Sequence, residues 1–309
     1  MDLREEIRAG YTVSADMKKV WAIQLKMAQH LIDVCKRHGL KVWADGGTLL
    51  GTVRHKGYIP WDDDIDMLMF REDYDKLIEL ADSEFKDPYF LQCAYTEKHY
   101  YRGHAQMRYK GTTAILKGDI YQPFDQSIFL DIFVYDAIPD VEDDIWKYKL
   151  EKADNIGWYL YDTEYYRLKL KDVKHPKRFL RYAKAKMKNA CGYGLEKFKE
   201  YENLFREYKM KDCQRVACPC FNREIFKTAT KQKVWYREML YLPFEDIEMP
   251  VPIDYDKVLE TQYGKNYMTP YKSDSMHGGF VVLDAEKSYR YYLKRIRKKR
   301  NYYFTNNHK

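Results

Sequence analysis

The chain has 309 residues, enough to bury a sizeable core as one large or two modest domains. With 45% hydrophobic and 33% charged residues, and only 15 Gly and 10 Pro, its composition excludes low-complexity disorder. The formal net charge of +7 is moderate, and no apolar run approaches the ~20 residues that span a bilayer. Met1 to Gly10 carries Asp2, Glu5 and Glu6 where a secretory signal requires a basic end and an apolar stretch, so the cytoplasm is the expected location.

In chain order, Ser14 to His38 has the three-and-four spacing of an amphipathic helix, through Met17, Val20, Trp21, Ala28, Leu31, Val34 and Cys35. Ser14 is its expected cap and Gly39 its stop. Leu40 to Ala44 reads as a short strand, broken by Gly46 and Gly47, after which Thr48 to Arg54 turns as a brief helix. Ile65 to Phe70 reads as a strand and Glu72 to Phe85 as the next helix. Ile128 to Val134, rich in β-branched and aromatic residues, is the most strand-like stretch of all. Strands alternating with helices predict an α/β (α+β) fold with a mixed sheet. From about Asp143, Lys, Arg and Tyr dominate and Gly and Pro become scarce, which marks a helical insertion. The expected division is therefore a catalytic core over 1–142, a Lys/Tyr-rich helical insertion over 143–215, and a C-terminal part of the same module over 216–309, ending in a basic tail.

The strongest chemical signal is Trp61-Asp62-Asp63-Asp64-Ile65-Asp66-Met67-Leu68-Met69-Phe70. Side chains alternate faces along a strand, so Asp64 and Asp66 point the same way. Two carboxylates that close repel each other and are costly beside apolar neighbours, and a divalent cation resolves the conflict. Hard oxygen ligands with no histidine in the run select Mg2+, or Mn2+, over zinc. An EF-hand reading fails, because Met67 stands where that loop needs glycine and Asp73 where it needs glutamate. A solvated acidic turn is the plain alternative. Asp131 interrupts Phe129-Leu130-Asp131-Ile132-Phe133-Val134 and is the candidate third carboxylate, a metal ligand or proton acceptor. Its plain alternative is a charge guarding an edge strand. Asp136 reads as a turn residue.

Upstream, Gly46, Gly47, Thr48 and Gly51 supply backbone that a ligand can approach closely, and the helix they open would aim free amides at an anion. Arg54, His55 and Lys56 are candidate phosphate contacts. The pattern is neither a P-loop nor a dinucleotide turn. Cys191, Cys213, Cys218 and Cys220 could in principle offer thiolates to zinc, but Cys218-Pro219-Cys220 is tighter than a zinc knuckle, so ordinary thiols are expected. Lys294, Arg295, Arg297, Lys298, Lys299 and Arg300 form a basic run edged by tyrosines. Anionic lipid, nucleic acid and a solvated helix end are its open readings.

The run from Gly46 through Arg54-His55-Lys56-Gly57-Tyr58-Ile59-Pro60-Trp61 to Asp66 resembles the signature of the LicD family, related to fukutin and fukutin-related protein. Leu130-Asp131-Ile132-Phe133 is similar to that family's second acidic strand. Tyr263-Gly264-Lys265-Asn266-Tyr267-Met268, followed by His277, is similar to its C-terminal motif. The resemblance implies a nucleotidyltransferase-type core and transfer of a phosphorylated alcohol, commonly phosphocholine from CDP-choline, to a sugar hydroxyl of teichoic acid, capsule or lipopolysaccharide. Other members use CDP-ribitol or similar CDP-alcohol donors. Carried over by position, Asp64, Asp66 and Asp131 would form the catalytic, magnesium-binding set, with Gly46, Gly47 and Thr48 near the donor phosphates and His277 among the binding residues. Asp62 shares their parity.

The acceptor would be a glycan or lipid-linked glycan met at the inner membrane face, where the insertion and basic tail contact anionic lipid. One rival is a nucleotidyltransferase that attaches a nucleoside monophosphate to a small molecule or RNA. The other, a bare nucleic-acid binder, leaves the two-acid strand unexplained.

Overall fold

A computed structural model of the chain describes residues 1–165, 174–219, 230–270 and 279–306. The elements follow as β1 (Glu6–Arg8), β2 (Tyr11–Val13), α1 (Ala15–His38), β3 (Trp43–Ala44), α2 (Gly46–His55), β4 (Asp66–Phe70), α3 (Arg71–Glu79), α4 (Ala81–Glu84), β5 (Tyr89–Gln92), β6 (Ala105–Tyr109), β7 (Thr113–Leu116) and β8 (Ile128–Ile138). Then come α5 (Asp144–Tyr165), α6 (Pro176–Ala190), α7 (Tyr193–Arg206), β9 (Arg215–Ala217), β10 (Lys231–Gln232), β11 (Met239–Phe244), β12 (Ile247–Pro252), α8 (Tyr255–Tyr263), β13 (Phe280–Asp284) and α9 (Tyr289–Asn306).

The expected α/β character is present. A mixed seven-stranded sheet runs β10-β9-β8-β4-β3, with β6 and β5 branching from β8. The long β8 is its spine: β4 pairs parallel along one edge, while β6 and then β9 pair antiparallel with it. Buried between strands on both sides, β8 is not an edge, so a guard charge is not the reason for Asp131.

Helix α1 begins as expected, with Ser14 Oγ accepting from the Met17 amide at 3.2 Å, and ends at Gly39 in the left-handed conformation. Its apolar stripe, Trp21, Leu25, Ala28, Leu31 and Ile32, is buried in the main core with Trp43, Met67, Leu68 and Ile132. Helices α5 and α7 form a second core around Trp146, Ile156, Leu160, Tyr201 and Phe205, packed on Ile138 and Ala217 of the sheet.

Several elements depart from expectation. Only Trp43 and Ala44 of the strand expected over Leu40 to Ala44 pair with β4. The brief helix starts at Gly46, two residues early. The helix expected over Glu72 to Phe85 is divided at Leu80 into α3 and α4. Asp136 is no turn residue: β8 runs on to Ile138 because β9 pairs with its far end, and Arg71 neutralises the buried acid. Arg71 clasps both Asp136 oxygens at 2.8 Å and reaches Glu202 of α7 at 2.6 Å, tying the helical layer to the sheet.

Candidate active site

The parallel pairing of β4 with β8 puts Asp66 directly opposite Asp131. Asp64 precedes the strand, where the Ile65 carbonyl accepts from the Asp131 amide at 2.9 Å and extends the pairing. One carboxylate oxygen from each of Asp64, Asp66 and Asp131 lies within 4.8 Å of the others, a group able to hold a metal ion. Asp62, Asp63 and Asp64 form a second, overlapping group. Asp64 is 7% exposed, so the cluster is no solvated turn. Burial, then the charges of Asp64, Asp131 and Asp62, push the Asp66 carboxyl well above the usual carboxylate range. Burial pushes Asp131 the same way, but His104 and hydrogen bonds from His104 and Gln106 outweigh it and leave Asp131 below its ordinary value. Three oxygen donors in a buried cluster whose repulsion only a cation or a proton relieves fit a hard divalent ion.

Helix α2 holds the cluster from behind. The Thr48 hydroxyl accepts from the Asp66 amide at 2.8 Å, and the Asp45 amide donates to the Asp66 carbonyl at 3.0 Å. The buried Asp45 side chain accepts from Tyr135 at 3.0 Å. Gly46 has φ +50, and a Cβ there would lie 3.2 Å from Asp66 Oδ2; at Gly47 it would lie 2.6 Å from Asp62 Oδ2. Both glycines therefore let the helix start press against the acids.

Arg54, His55 and Lys56 sit at the other end of α2, roughly 12 Å of helix away from Gly46. Arg54 donates to the Tyr267 carbonyl at 2.8 Å and to His55 Nδ1 at 3.3 Å. Burial and then the neighbouring Arg54 and Arg8 hold His55 down at about 4. The structure thus brings Gly46, Gly47 and Thr48 to the acids and keeps the basic trio apart from them. His277 and Cys220 lie outside the described residues.

Opposite α2, the cluster borders a cavity of about 500 Å3 whose walls include Asp64, Asp131, His104 and Gln106. His104 Nε2 stands 3.1 Å from Asp131 Oδ1, and Gln106 donates to the same oxygen at 2.7 Å. Sequence reading missed both. The signal was available in outline, since His104 and Gln106 share one strand parity, but nothing local to Asp131 identified β6 as its neighbour.

The chain is 27% identical over 256 residues to the lipopolysaccharide cholinephosphotransferase LicD of Haemophilus influenzae, covering 81% of this chain and 91% of that protein. It is 37% identical over 57 residues to the ribitol 5-phosphate transferase FKRP of human and of mouse, 18% of this chain and 12% of each relative. Residues 39–181 match the LicD/FKTN/FKRP nucleotidyltransferase domain, and span α2, the acid cluster, β6 and β8. Through that domain, the chain is similar to the LicD family.

Proposed function

We propose that the protein is a phosphotransferase that moves a phosphorylated alcohol, first of all phosphocholine from CDP-choline, onto a sugar hydroxyl of a cell-surface glycan. The observation that carries the reading is the convergence of Asp64, Asp66 and Asp131 on a cavity beside the glycine-opened start of α2. In this scheme the three carboxylates would hold Mg2+, with Mn2+ as substitute. When bound, the cation supplies charge neutralisation at the donor diphosphate.

The chain's own groups do the rest. Gly46 and Gly47 leave room for the donor phosphates beside the first α2 amides, and Thr48 fixes the Asp66 backbone. The acceptor oxygen forms a bond to phosphorus as the bond to CMP breaks, and the hydroxyl proton passes to Asp131, beside His104 Nε2. In the proposed three-part division, the middle segment supplies one cavity wall through Leu160, Tyr161, Glu164 and Tyr165 of α5. Nucleotidyl transfer to a small molecule or RNA is the less favoured alternative, because the named relatives transfer phosphorylated alcohols.

Purified protein with CDP-choline, Mg2+ and glycan acceptor should release CMP and label the acceptor with choline. Asp64→Asn should abolish release without altering the circular dichroism spectrum. An unimpaired variant overturns the assignment, and nucleotide on the acceptor selects the alternative.

A peripheral membrane contact completes the proposal. Among the described residues no helix is long and apolar enough to cross a membrane. Helix α6, however, carries Lys177, Arg178, Arg181, Lys184, Lys186 and Lys188 with no acid, and exposes Leu180 and Met187 seven residues apart. Trp158 of the adjoining α5 is 67% exposed. Cations interleaved with exposed apolar side chains suit an anionic lipid surface at the cytoplasmic face, where a lipid-linked acceptor is met. The protein should float with phosphatidylglycerol vesicles and sediment with phosphatidylcholine ones; sedimentation with both removes this contact.

A further inference from the structure

We infer that Arg108, buried behind the cavity wall, is a positioning residue for Asp131 and acts on it through Gln106. The inference rests on the phosphotransferase reading and adds a residue that shapes its proton acceptor. Strand register sets up the contact. Gln92 of β5 lies opposite Gln106 of β6, Gln106 opposite Asp131 of β8, and Asp131 opposite Asp66 of β4, so one polar row crosses four strands into the acid cluster. Arg108 stands two residues along β6 from Gln106, on the same face and opposite Phe129.

Arg108 is 1% exposed, yet its donors go to neutral oxygens. Nε donates to Gln92 Oε1 at 2.6 Å, Nη1 to the Ser127 carbonyl at 2.7 Å, and Nη2 to Gln106 Oε1. The guanidinium carbon lies 4.7 Å from the centre of the Phe129 ring, which forms part of the cavity wall. The acids come one bond further out. Gln106 Nε2 donates to Asp131 Oδ1 at 2.7 Å, and Gln92 Nε2 donates to Glu97 Oε2. A buried cation is costly without negative charge to balance it, and here two glutamines carry its polarity to two carboxylates.

Chemistry fixes the way Gln106 faces. A guanidinium offers only donors and an ionised carboxylate only acceptors, so the amide between them must turn its oxygen to Arg108 and its NH2 to Asp131. Without Arg108 the amide is free to flip and set its oxygen against the carboxylate. His104 Nε2 also stands at Oδ1, 3.1 Å away. Both contacts fall on one oxygen, so they hold the carboxylate by Oδ1 and leave Oδ2 to receive the acceptor's proton.

The test uses the full-length protein. After nitrogen-15 labelling at glutamine, the Gln106 side-chain amide is the signal that Gln106→Met removes. Its hydrogens should exchange with solvent at least about tenfold faster in Arg108→Met than in wild type. In turnover of CDP-choline, Arg108→Met should lower kcat about tenfold and leave KM within about twofold. Gln106→Met should do the same, and the double variant should fall no further, because both substitutions break one path. Arg108→Lys guards against a folding failure. It keeps the cation but loses the planar fork, so Tm should stay close to that of wild type while kcat still falls. Unchanged amide exchange, kcat losses that multiply in the double variant, or full kcat in Arg108→Lys overturn the inference. If wild type consumes no CDP-alcohol, the phosphotransferase reading falls, and the exchange rates alone decide whether Arg108 orients Gln106.

Discussion

Replacing Asp66 with asparagine separates what the acid cluster does for the fold from what it does for chemistry. The three carboxylate oxygens lie within 4.8 Å of one another, so each ionised pair repels by at least about 3.5 kcal/mol at an effective dielectric of 20. Binding a proton caps that cost, which is why the Asp66 carboxyl is pushed above its ordinary range. The substitution keeps the side chain's shape and removes one charge, so the chelated Asp66→Asn protein should be more stable than chelated wild type by about 1–3 kcal/mol. For a chain of this size that is a rise of roughly 2–6 °C in Tm.

The difference should be largest at pH 8 and shrink as pH falls. A raised folded pKa means that the native state takes up the proton first, so wild type regains the lost stability in acid. With Mg2+ the order should reverse: ligation stabilises wild type by about 4.1 kcal/mol at a thousandfold excess over Kd, and the variant gains little. Differential scanning fluorimetry in EDTA and in Mg2+, from pH 5 to 8, measures all of this. A chelated variant less stable than wild type, or one that Mg2+ still stabilises fully, refutes the repulsive, cation-binding account of the cluster.

Gly47→Ala places a Cβ 2.6 Å from Asp62 Oδ2; the carboxylate must swing away, so Mg2+ affinity by calorimetry should fall severalfold while Tm moves by no more than a degree or two. Arg71→Met takes the ion-pair partner from Asp136, 1% exposed, and leaves Glu202, 3% exposed, with Arg206 as its cation. Urea unfolding should show a loss of about 3–5 kcal/mol, and a loss under 1 kcal/mol would remove the clasp from the list of what joins α7 to the sheet. His55 is held near 4, so between the unfolded value of ~6.5 and about 4 the unfolded chain binds the proton and the native state does not. Stability should therefore drop as pH falls through that window, by about 2 kcal/mol after allowing for partial exposure. His55→Gln should flatten this part of the stability curve, and an unchanged slope would show that His55 does not cause it.

Local patterns were the legible part of the sequence. The stripe and caps of α1, the strand β4 and the apolar run of β8 follow from residues adjacent in the chain, and so does the shared parity of Asp64 and Asp66. What could not be read was pairing. Asp136 looks like a turn acid until Arg71, 65 residues earlier in sequence, is seen beside it. His104 and Gln106 carry no local mark of chemistry; only the β6 to β8 register brings Gln106 opposite Asp131. The break at Leu80 was hidden because the apolar spacing continues across it. The tyrosines of α5 read as packing in a Tyr-rich helix, and their place on a cavity wall depends on how that helix docks against the loop before β6 and the turn after β7.

On the proposed metal-binding reading, the alignment of Asp66 with Asp131 makes cation binding a checkpoint on assembly. The two acids come from segments 65 residues apart, and side chains alternate faces, so a one-residue slip of β4 along β8 would turn one acid away from the other. A misregistered sheet could still be compact and helical, but it would hold no divalent ion at this position. If the proposed site holds Mg2+, its affinity would grade folded material more stringently than spectroscopy of secondary structure, and refolded protein would be judged by Mg2+ stoichiometry.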